Sequence, residues 1–534
     1  MRKFSSYGPV DVNVHYYAPR TALIDLVCAQ LLGEDPQQNG YYLTIWAPRQ
    51  SGKSWVTNQV LHLLKQTQPT FDVVKLSLQD LQDAPFEQAI VGLTQKLAFA
   101  LERTLPIPDS QVAFAEVFSK RVLEKPLILI LDEFDALSPA AIQGIVGTFR
   151  NIYNLRFQDI QQATSQQEYL LHGLGLIGVH AVLGVGNKSG SPFNVQRSIH
   201  IPNLTKTEVN ELFHWYERES AQTIEPAVID RIFYEMRGQP GLTCWLGELL
   251  TETYNRRQPV ITMDDFEIAY TNAIYTLPNN NILNIIAKAK EPAHKPLVLK
   301  LFEAEAKIPF RYDDPQTNFL YLNGVVDQAS VGEDTVMSGE RYLKFSSPFV
   351  QKRLFNYFAY ELFGDLGRLY NPFDNLDNTI TETTLSVPNL LQRYEAWLQQ
   401  NRKRILRDAP RHASDDRIFE AVFHFNLYMY LTQFLATYQG QVLPEFPTGN
   451  GKIDLLIRYA GAIYGLEVKS FINAVEYRHA LAQAARYAQQ LQLREIWLVL
   501  FVDAVDEENR QQYQVTYTDA ATGTMVYPQF VVTG

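Results

Sequence analysis

The chain has few cysteines, no long apolar run and no excess of positive charge. Its 534 residues include two cysteines, Cys28 and Cys244, too few for a disulfide framework or for a zinc site of four cysteines. The longest apolar stretch, around residues 171–186, is interrupted by glycine and histidine, and the N-terminus MRKFSSYGPVD lacks an apolar run. Because membrane spans and secretory signals both need such runs, we expect a soluble, cytoplasmic protein with no membrane partner.

The charge balance also limits the choice of partner. With 47 Lys and Arg against 58 Asp and Glu, the formal net charge is −11, so the molecule as a whole does not attract a polyphosphate. Any nucleic-acid binding must therefore use a local basic surface. Apolar residues make up 46% and charged residues 20% of the chain, which excludes a mainly disordered or fibrous body. At roughly 100 to 200 residues per domain, the length predicts several domains.

Continuous apolar runs in the first part of the chain predict an α/β fold with a parallel sheet. Strands are expected at residues 41–46, 127–131 and 179–185, and a helix at residues 55–64. Runs of this kind are typical of strands covered on both faces. From Thr205 the pattern becomes helical, and Glu208 is placed to complete a capping box.

The second half predicts further units. Helices with two strand-like pieces, at residues 318–327 and 341–348, favour a winged helix, and the polar residues 371–386 are the best linker candidate. The last part has an α/β pattern, with helices at 416–438 and 475–491 and strands at 451–459, 462–470 and 496–502. We expect an α/β core (1–204), a helical lid (205–275), a winged helix (276–365), a linker with a basic helix (366–410) and a second α/β domain (411–534).

A phosphate-binding motif follows the first expected strand. The loop APRQSGKS (residues 47–54) matches the P-loop pattern, except that Ala47 replaces the first glycine. Successive backbone N–H groups form a nest for anions, the lysine brings positive charge to the β- and γ-phosphates, and the last serine is a Mg²⁺ ligand. We therefore assign ATP and Mg²⁺ to this loop. The candidate binding residues are Arg49, Gln50, Ser51, Gly52, Lys53, Ser54 and Trp55.

Acidic residues end the second expected strand, in the sequence LDEFD at residues 131–135. Because the carboxyl end of a buried parallel strand lies beside a P-loop, Asp132 is the second candidate Mg²⁺ ligand and Glu133 the candidate general base. Asn187 follows the third expected strand and is a candidate sensor of the γ-phosphate. A turn-forming role is the alternative for this asparagine.

Five segments of the N-terminal part point to one group of proteins. They are HYYAPR (15–20), the P-loop, the acidic strand end, SPFNV (191–195) and RGQPGL (237–242). Together they resemble the AAA-like ATPases allied to the STAND signalling ATPases. The resemblance implies that Tyr17, Arg20 and Pro240 lie on the base side of the nucleotide, and that the chain assembles into a homo-oligomer. Arg150 and Arg197 are candidates for an arginine finger.

The C-terminal α/β pattern contains two carboxylates and a lysine that the fold can bring together. Glu467 and Lys469 lie two residues apart in one expected strand and so share a face, and a hairpin can bring Asp454 beside them. Acidic oxygens beside a cation suit a Mg²⁺ site for phosphodiester hydrolysis. The alternative is an inert ion-pair network with Arg417, Arg458 or Arg478.

This D-x12-E-x-K pattern lies between a helix that carries Glu420 and a helix that carries Gln483. It resembles the PD-(D/E)XK nuclease superfamily and implies a restriction-endonuclease-like α/β domain. By this resemblance Asp454 and Glu467 bind Mg²⁺ or Mn²⁺, and Lys469 assists the attacking water. Glu420 supports the metal site, and Gln483 steadies the substrate or the lysine.

A basic cluster precedes this pattern: Arg402, Lys403, Arg404, Arg407 and Arg411. Such a cluster neutralises nucleic-acid phosphates without reading sequence. The alternative is an ordinary solvent-exposed helix face.

We expect an ATP-regulated, Mg²⁺-dependent nuclease acting on DNA, in bacterial antiviral defence with a phage-derived or other protein trigger. A DNA-repair or mobile-element ATPase-nuclease and a nucleotide-gated scaffold with an inactive nuclease fold stay open, as do DNA against RNA and ends against internal bonds.

Overall fold

A computed structural model of the protein describes residues 1–158, 161–178, 196–303, 307–330, 341–414, 416–445, 453–471 and 473–534. They divide into two compact units. The first comprises Met1–Ala273 and Arg311–Gly324, and the second comprises Ile274–Phe310 and Val325–Gly534. Every helix within these ranges is too short or too polar to cross a lipid bilayer.

The first unit is an α/β domain with a parallel sheet, as the apolar runs predict. Across the sheet the strands are β2 (Asp72–Ser77), β3 (Leu127–Asp132), β4 (Leu171–Ile177), β1 (Tyr42–Trp46) and β5 (Gln196–His200), and each neighbouring pair is parallel. The flanking helices are α1 (Thr21–Leu32), α2 (Lys53–Thr67), α3 (Phe86–Leu101), α4 (Gln111–Glu116) and α5 (Pro139–Gln158). Alternate residues of β3 enter two different apolar clusters. Both faces of the sheet are therefore covered by protein.

Strand β4 was not predicted, because glycine and histidine interrupt its apolar run, LHGLGLI. Gly173 explains the interruption, since a Cβ there would lie 2.4 Å from the carbonyl oxygen of Leu31 at the end of α1. A residue without a side chain is needed where this helix approaches the strand. The strand expected at 179–185, Asn187 and the SPFNV segment lie outside the described residues.

Helices follow the sheet in the first unit. They are α6 (Lys206–Ser220), α7 (Pro226–Met236), α8 (Pro240–Glu248) and α9 (Met263–Tyr275), the last crossing the boundary between the units, with the short parallel strands β6 (Thr223–Ile224) and β7 (Val260–Ile261). The predicted capping box is confirmed. Thr205 Oγ1 accepts from Glu208 N at 3.1 Å, and Glu208 Oε2 accepts from Thr205 N at 2.8 Å.

The prediction of a strand at residues 318–327 is wrong over most of that range. Its first part belongs to helix α12 (Pro315–Leu322), which Asp314 caps through a hydrogen bond from Thr317 N at 2.8 Å. An N-cap aspartate followed by proline starts a helix efficiently. Tyr321 of α12 packs edge-on against Trp46, with ring centroids 5.7 Å apart, so this segment packs within the first unit.

The second unit begins with helices α10 (Asn280–Ala289) and α11 (Lys295–Glu303). An antiparallel pair follows, formed by β8 (Val326–Ser330) and β9 (Arg341–Phe345), and then helices α13 (Pro348–Phe363) and α14 (Val387–Ile405). Helix α15 (Glu420–Ala436) is buried on almost all sides, consistent with the sequence FHFNLYMYLTQF packing as core.

A mixed sheet ends the second unit. Its order is β10 (Gln441–Glu445), β11 (Ile453–Tyr459), β12 (Ala462–Ser470), β13 (Glu495–Val502), β15 (Met525–Val532) and β14 (Tyr517–Thr518). Strand β11 pairs antiparallel with both β10 and β12, whereas β13 pairs parallel with both β12 and β15. Helix α16 (Ala474–Gln490) connects β12 to β13, and α17 (Glu507–Tyr513) follows β13. Strands β10, β14 and β15 were not predicted.

One buried cation supports the first unit. Arg156 of α5 is 2% exposed and donates to the carbonyl oxygens of Tyr169 and Gln38 and, at 2.8 Å each, to Asn39 Oδ1 and Thr164 Oγ1. These acceptors come from separate loops, so the guanidinium joins them at one point.

Replacing Arg156 with methionine should lower the free energy of unfolding by about 3 kcal/mol, because several buried acceptors lose their donor. Urea-induced unfolding measures the loss. Gln158→Met, at the exposed end of the same helix, is the control and should change stability by less than about 0.5 kcal/mol. Equal stability of the two variants would contradict this role for Arg156.

Candidate functional site

The P-loop joins the end of β1 to the start of α2. Lys53 Nζ donates to the carbonyl oxygens of Ala47 at 2.7 Å and Pro48 at 2.8 Å, so the loop curls around this ammonium group. Gly52 has a φ of 85° and Gln50 a φ of 56°. Glycine tolerates this left-handed region without strain, which explains its position before the lysine. The curled backbone has the concave form that binds phosphate.

The protein environment tunes the charge of Lys53. Desolvation lowers the pKa of its ammonium group to about 8, while the neighbouring carboxylates of Asp135 and Asp132 oppose the shift. Burial also raises the pKa of Asp135, and Lys53 opposes that rise. Lys53 is therefore close to losing its proton when no phosphate is present, and a bound phosphate would favour the charged form.

Nucleotide affinity should consequently fall as the pH rises above about 8, by up to about tenfold per pH unit. Below this pH Lys53 already carries its proton, whereas above it binding must take up a proton. Titration calorimetry from about pH 7 to about pH 10 in buffers of different ionisation enthalpy tests this linkage. Lys53→Arg should remove the pH dependence because arginine stays protonated. A wild-type affinity that does not vary over this range would contradict the assignment.

The acids at the end of β3 meet the P-loop, as predicted. Asp132 Oδ2 accepts a hydrogen bond from Ser54 Oγ at 3.3 Å and lies 3.0 Å from Lys75 Nζ. Glu133 has a φ of 58°, and its carboxylate accepts from Ser77 Oγ. The two expected Mg²⁺ ligands, Ser54 and Asp132, are thus adjacent. The oxygens of a hydroxyl and a carboxylate fit Mg²⁺.

Three residues near these acids were missed by sequence reasoning. Lys75 and Ser77 lie on β2, a strand that was not predicted, and Ser77 is in register with Asp132. The available signal was the polar spacing in DVVKLS, where two residues that share a face end a strand. Asp135 was quoted within LDEFD but given no role, and its effect on Lys53 arises only in the folded chain.

A cavity of about 240 Å³ extends from the P-loop. Among its lining residues are Gln50, Ser51, Gly52, Lys53, Ser54, Trp55, Tyr17, Arg20 and Pro240, which are most of the candidates for nucleotide binding. The other walls come from the N-terminal segment and the helices after the sheet, including Ser6, Leu212 and Cys244.

The base-side candidates differ in what holds them. Tyr17 packs against Trp55 with ring centroids 4.7 Å apart. The guanidinium of Arg20 pairs with Glu208 at 3.2 Å and donates to the carbonyl oxygen of Pro202 at 2.7 Å. Arg20 therefore contributes to the wall while its charged end anchors the start of α6.

The turn before α8 closes onto the P-loop. Gln239 Nε2 donates to the carbonyl oxygens of Arg49 at 3.0 Å and Gln50 at 3.2 Å, and Gly241 N donates to the same Gln50 oxygen at 3.0 Å. Helix α8 begins at Pro240, so the RGQPGL motif lies against the P-loop. Arg49 contributes through its backbone.

The two arginine-finger candidates lie elsewhere in the first unit. Arg197 stacks on the ring of Tyr41 at 3.6 Å and donates to Gln30 Oε1 at 2.6 Å. Arg150 lies on α5. Neither arginine is among the described residues that line the cavity.

A parallel sheet with a P-loop after β1 and acids after β3 defines a P-loop nucleotide-binding domain. Residues 5–252 match the family described as AAA-like domain, so this part of the chain is an AAA-like P-loop ATPase domain. No curated protein matches the chain.

The solved structures include distant similarities. The chain is similar to the ORC1 protein of Aeropyrum pernix in complex with DNA, at 14% identity and a TM-score of 0.33, covering 64% of this chain and 93% of that one. Cdc6p of Pyrobaculum aerophilum is similar at 16% identity and a TM-score of 0.36, covering 65% of this chain and 96% of that one. The Walker-type ATPase PABY2304 of Pyrococcus abyssi is similar at 14% identity and a TM-score of 0.38, covering 66% of this chain and 98% of that one.

The second candidate site lies on the mixed sheet of the second unit. Lys469 Nζ is 3.3 Å from Glu467 Oε1 and donates to Gln483 Oε1 at 3.0 Å. Glu467 is 2% exposed and Lys469 is 9% exposed. Strand β11 pairs with β12 so that Asp454 is in register with Glu467. The structure therefore brings together three of the predicted side chains, with Asp454 at the adjacent backbone position; its side chain lies outside the described part.

A further acid continues this row of register positions. Glu445 of β10 is opposite Asp454, and its carboxylate pairs with Lys352 Nζ at 2.9 Å. Lys352 is nearly buried. Sequence reasoning missed Glu445 because β10 was not predicted, and it missed Lys352 of α13 because the two residues meet only in the folded chain.

Glu420 begins helix α15, and its carboxylate is 3.8 Å from His424 Nε2. The ring of His424 stacks on Phe501, which is in register with Ser470, the residue after Lys469. Burial lowers the pKa of His424 to about 4, so this imidazole is neutral at pH 7. In the described part of the chain, no three His, Cys, Asp or Glu side chains are grouped to hold a metal ion.

Proposed function

We propose that the chain is an ATP-regulated, Mg²⁺-dependent nuclease that hydrolyses phosphodiester bonds in nucleic acid, with DNA as its substrate. The observation that carries this proposal is the buried pair of Glu467 and Lys469, with Gln483 hydrogen-bonded to Lys469, beside the register position of Asp454. The nuclease part would be a PD-(D/E)XK-type domain spanning residues 411–534. Residues 205–275, 276–365 and 366–410 would be the lid, the winged helix and the linker with its basic helix.

Burial of these charges supports a functional reading. Desolvating an ammonium and a carboxylate is costly, and apolar residues of similar size would stabilise a sheet at least as well. Glu467 at 2% exposure and Lys469 at 9% therefore suggest a role beyond packing. Carboxylate oxygens fit Mg²⁺ or Mn²⁺, which would supply Lewis acidity to the phosphate when bound.

The side chains of the second unit divide the chemical work. Lys469 Nζ has donors to offer to the attacking water or to the charge that develops on the phosphate. Gln483 fixes the position of that ammonium through its 3.0 Å hydrogen bond. Glu467 and Asp454 would hold the metal, and Glu420 would support them from α15.

The first unit would bind and hydrolyse ATP. Lys53 would contact the β- and γ-phosphates, while Ser54 and Asp132 would hold Mg²⁺. Glu133 would orient the attacking water, and its hydrogen bond with Ser77 supports a fixed position before the nucleotide arrives. Tyr17, Arg20 and Pro240 would contact the base side, and Asn187 would sense the γ-phosphate.

The nucleic acid would be held by the basic cluster that begins in the last turn of α14 and continues beyond it to Arg411. Lys403, Arg407 and Arg411 are exposed, as phosphate contacts must be. Arg404 is partly engaged, because it donates to the carbonyl oxygen of Leu366 at 2.8 Å. Binding of DNA to this local cluster, on a chain of formal net charge −11, should depend strongly on salt concentration.

We also propose a biological setting that follows from this combination of activities. A nucleotide-switched, STAND-like nuclease that assembles as a homo-oligomer would suit bacterial defence against phage, with a phage-derived or other protein trigger. The ATP-bound state would then limit cleavage to the moment of infection.

A second candidate is a nucleotide-gated scaffold with a silent nuclease fold. The ion pair of Lys469 with Glu467 at 3.3 Å favours it, because each charge then already has an opposite charge beside it.

Incubation of the purified full-length protein with linear DNA, circular DNA and RNA separates the two candidates. Each substrate is tested with and without Mg²⁺ and ATP. The nuclease predicts Mg²⁺-dependent fragments, and cutting of the circle would identify internal cleavage. The scaffold predicts binding to one of these substrates with no cleavage under any condition.

A further inference from the structure

Lys75 lies at the place where the first unit is expected to bind metal. Its Nζ is 3.0 Å from Asp132 Oδ2, the same oxygen that accepts a hydrogen bond from Ser54 Oγ at 3.3 Å. The side chain of Lys75 is 11% exposed, and that of Asp132 is 13% exposed. The ammonium group of Lys75 thus lies beside the same oxygen of Asp132 that Ser54 contacts.

Two elements fix this lysine. Its backbone is held in β2, where it pairs with Ile130 of β3, two residues before Asp132. Its Nζ also donates to Asn58 Oδ1 at 2.7 Å. Asn58 lies one helical turn after Ser54 on α2, so the two side chains share a face. Contacts therefore run from Ser54 to Asp132, from Asp132 to Lys75 and from Lys75 to Asn58, between the helix and the sheet.

We propose that Lys75 is a built-in counterion that makes metal binding at Ser54 and Asp132 depend on nucleotide. Without nucleotide, Lys75 neutralises Asp132, and a divalent cation brought to the same oxygen is repelled by the ammonium. The phosphates of a nucleotide supply the negative charge that outweighs this repulsion. Metal and nucleotide then enter as a pair, and Asn58 retains Lys75 beside the site.

The physical basis is the short distance and the low exposure of the pair. Charges that are 3.0 Å apart and shielded from water interact much more strongly than surface ion pairs. A single carboxylate and a hydroxyl make a weak site for a divalent cation, which prefers six oxygen ligands. Neutralising that one carboxylate removes most of its attraction for the metal.

Binding of Mn²⁺ to the nucleotide-free, full-length protein tests this role without using catalysis. Free Mn²⁺ is counted by its electron paramagnetic resonance signal. The wild type should lack a site that depends on Asp132. Lys75→Met and Lys75→Gln should gain one Mn²⁺ site that depends on Asp132, at least about tenfold tighter than any such binding that is detectable in the wild type. Sites in the second unit are common to all variants and cancel.

Three further variants identify the cause. Adding Asp132→Asn to Lys75→Met should abolish the gained site, and Lys75→Arg should behave as the wild type because the charge is kept. Lys96→Met is the matched control, since Lys96 pairs with the exposed Asp80 at 2.7 Å elsewhere in the same unit. Lys75→Gln keeps a polar side chain and carries the test if the methionine variant does not fold.

This inference rests on the proposal that Ser54 and Asp132 bind Mg²⁺, and the outcomes distinguish the two. If Asp132→Asn does not weaken Mn²⁺ binding in the presence of ATP, the metal assignment is wrong. If Asp132→Asn does weaken it but neither Lys75→Met nor Lys75→Gln gains a site without nucleotide, the counterion role is overturned. A wild-type, nucleotide-free Mn²⁺ site that Asp132→Asn removes would also overturn it.

Discussion

Replacing Lys469 with methionine should reduce Mg²⁺-dependent DNA cleavage by about 10²- to 10³-fold. The substitution keeps the apolar stem of the side chain but removes the ammonium that lies 3.3 Å from Glu467 and 3.0 Å from Gln483. The rate falls because the donor to the water or the phosphate is lost, whereas ATP hydrolysis by the first unit should be unchanged. Initial cleavage rates under single-turnover conditions give the size of the effect.

A matched pair of glutamines separates this effect from a general disturbance of the fold. Gln483 and Gln489 lie on the same helix, but Gln489 is exposed and Gln483 orients Lys469. Gln483→Ala should slow cleavage by about tenfold, which corresponds to one hydrogen bond, and Gln489→Ala should have no effect. Cleavage by Lys469→Met at the wild-type rate would show that the activity arises elsewhere.

Replacing Lys53 with methionine should weaken nucleotide binding by about 10- to 100-fold, the contribution of charge-assisted hydrogen bonds to phosphate. ATP hydrolysis should fall further, because Lys53 also stabilises charge that develops in the transition state. Fluorescence titration with a labelled nucleotide and phosphate release measure the two quantities. Lys65→Met is the control, because Lys65 is an exposed lysine in the last turn of the same helix.

The same variant tests regulation. If ATP gates the nuclease, Lys53→Met should cleave DNA no faster with ATP than without it, while Lys65→Met should respond like the wild type. Identical ATP stimulation of Lys53→Met and the wild type would contradict nucleotide gating and leave an unregulated nuclease.

Local sequence patterns predicted the elements whose cause is local. The P-loop, the acids after β3 and the capping box of α6 depend on residues within one turn or one strand, and the structure contains each of them. The lysine and glutamate of β12 are likewise separated by a single residue, so their common face follows from the strand period.

The features that were missed depend on residues far apart in the chain. Strand β4 contains Gly173 because α1 approaches it closely, and this approach is invisible in the sequence of either segment. Lys75 becomes a site residue because β2 lies beside β3. Glu445 joins the acid row through the pairing of β10 with β11. These residues become neighbours through the order of the strands in each sheet, and local patterns in a single sequence do not reveal that order.

The most direct test is a time course of supercoiled plasmid incubated with the wild-type protein under three conditions: Mg²⁺ with ATP, Mg²⁺ alone, and ATP with a chelator. An ATP-regulated, metal-dependent nuclease predicts fast conversion of the plasmid with Mg²⁺ and ATP, slow conversion with Mg²⁺ alone and none with the chelator. Intact plasmid under all three conditions, with linear DNA and RNA also intact, would contradict the nuclease assignment.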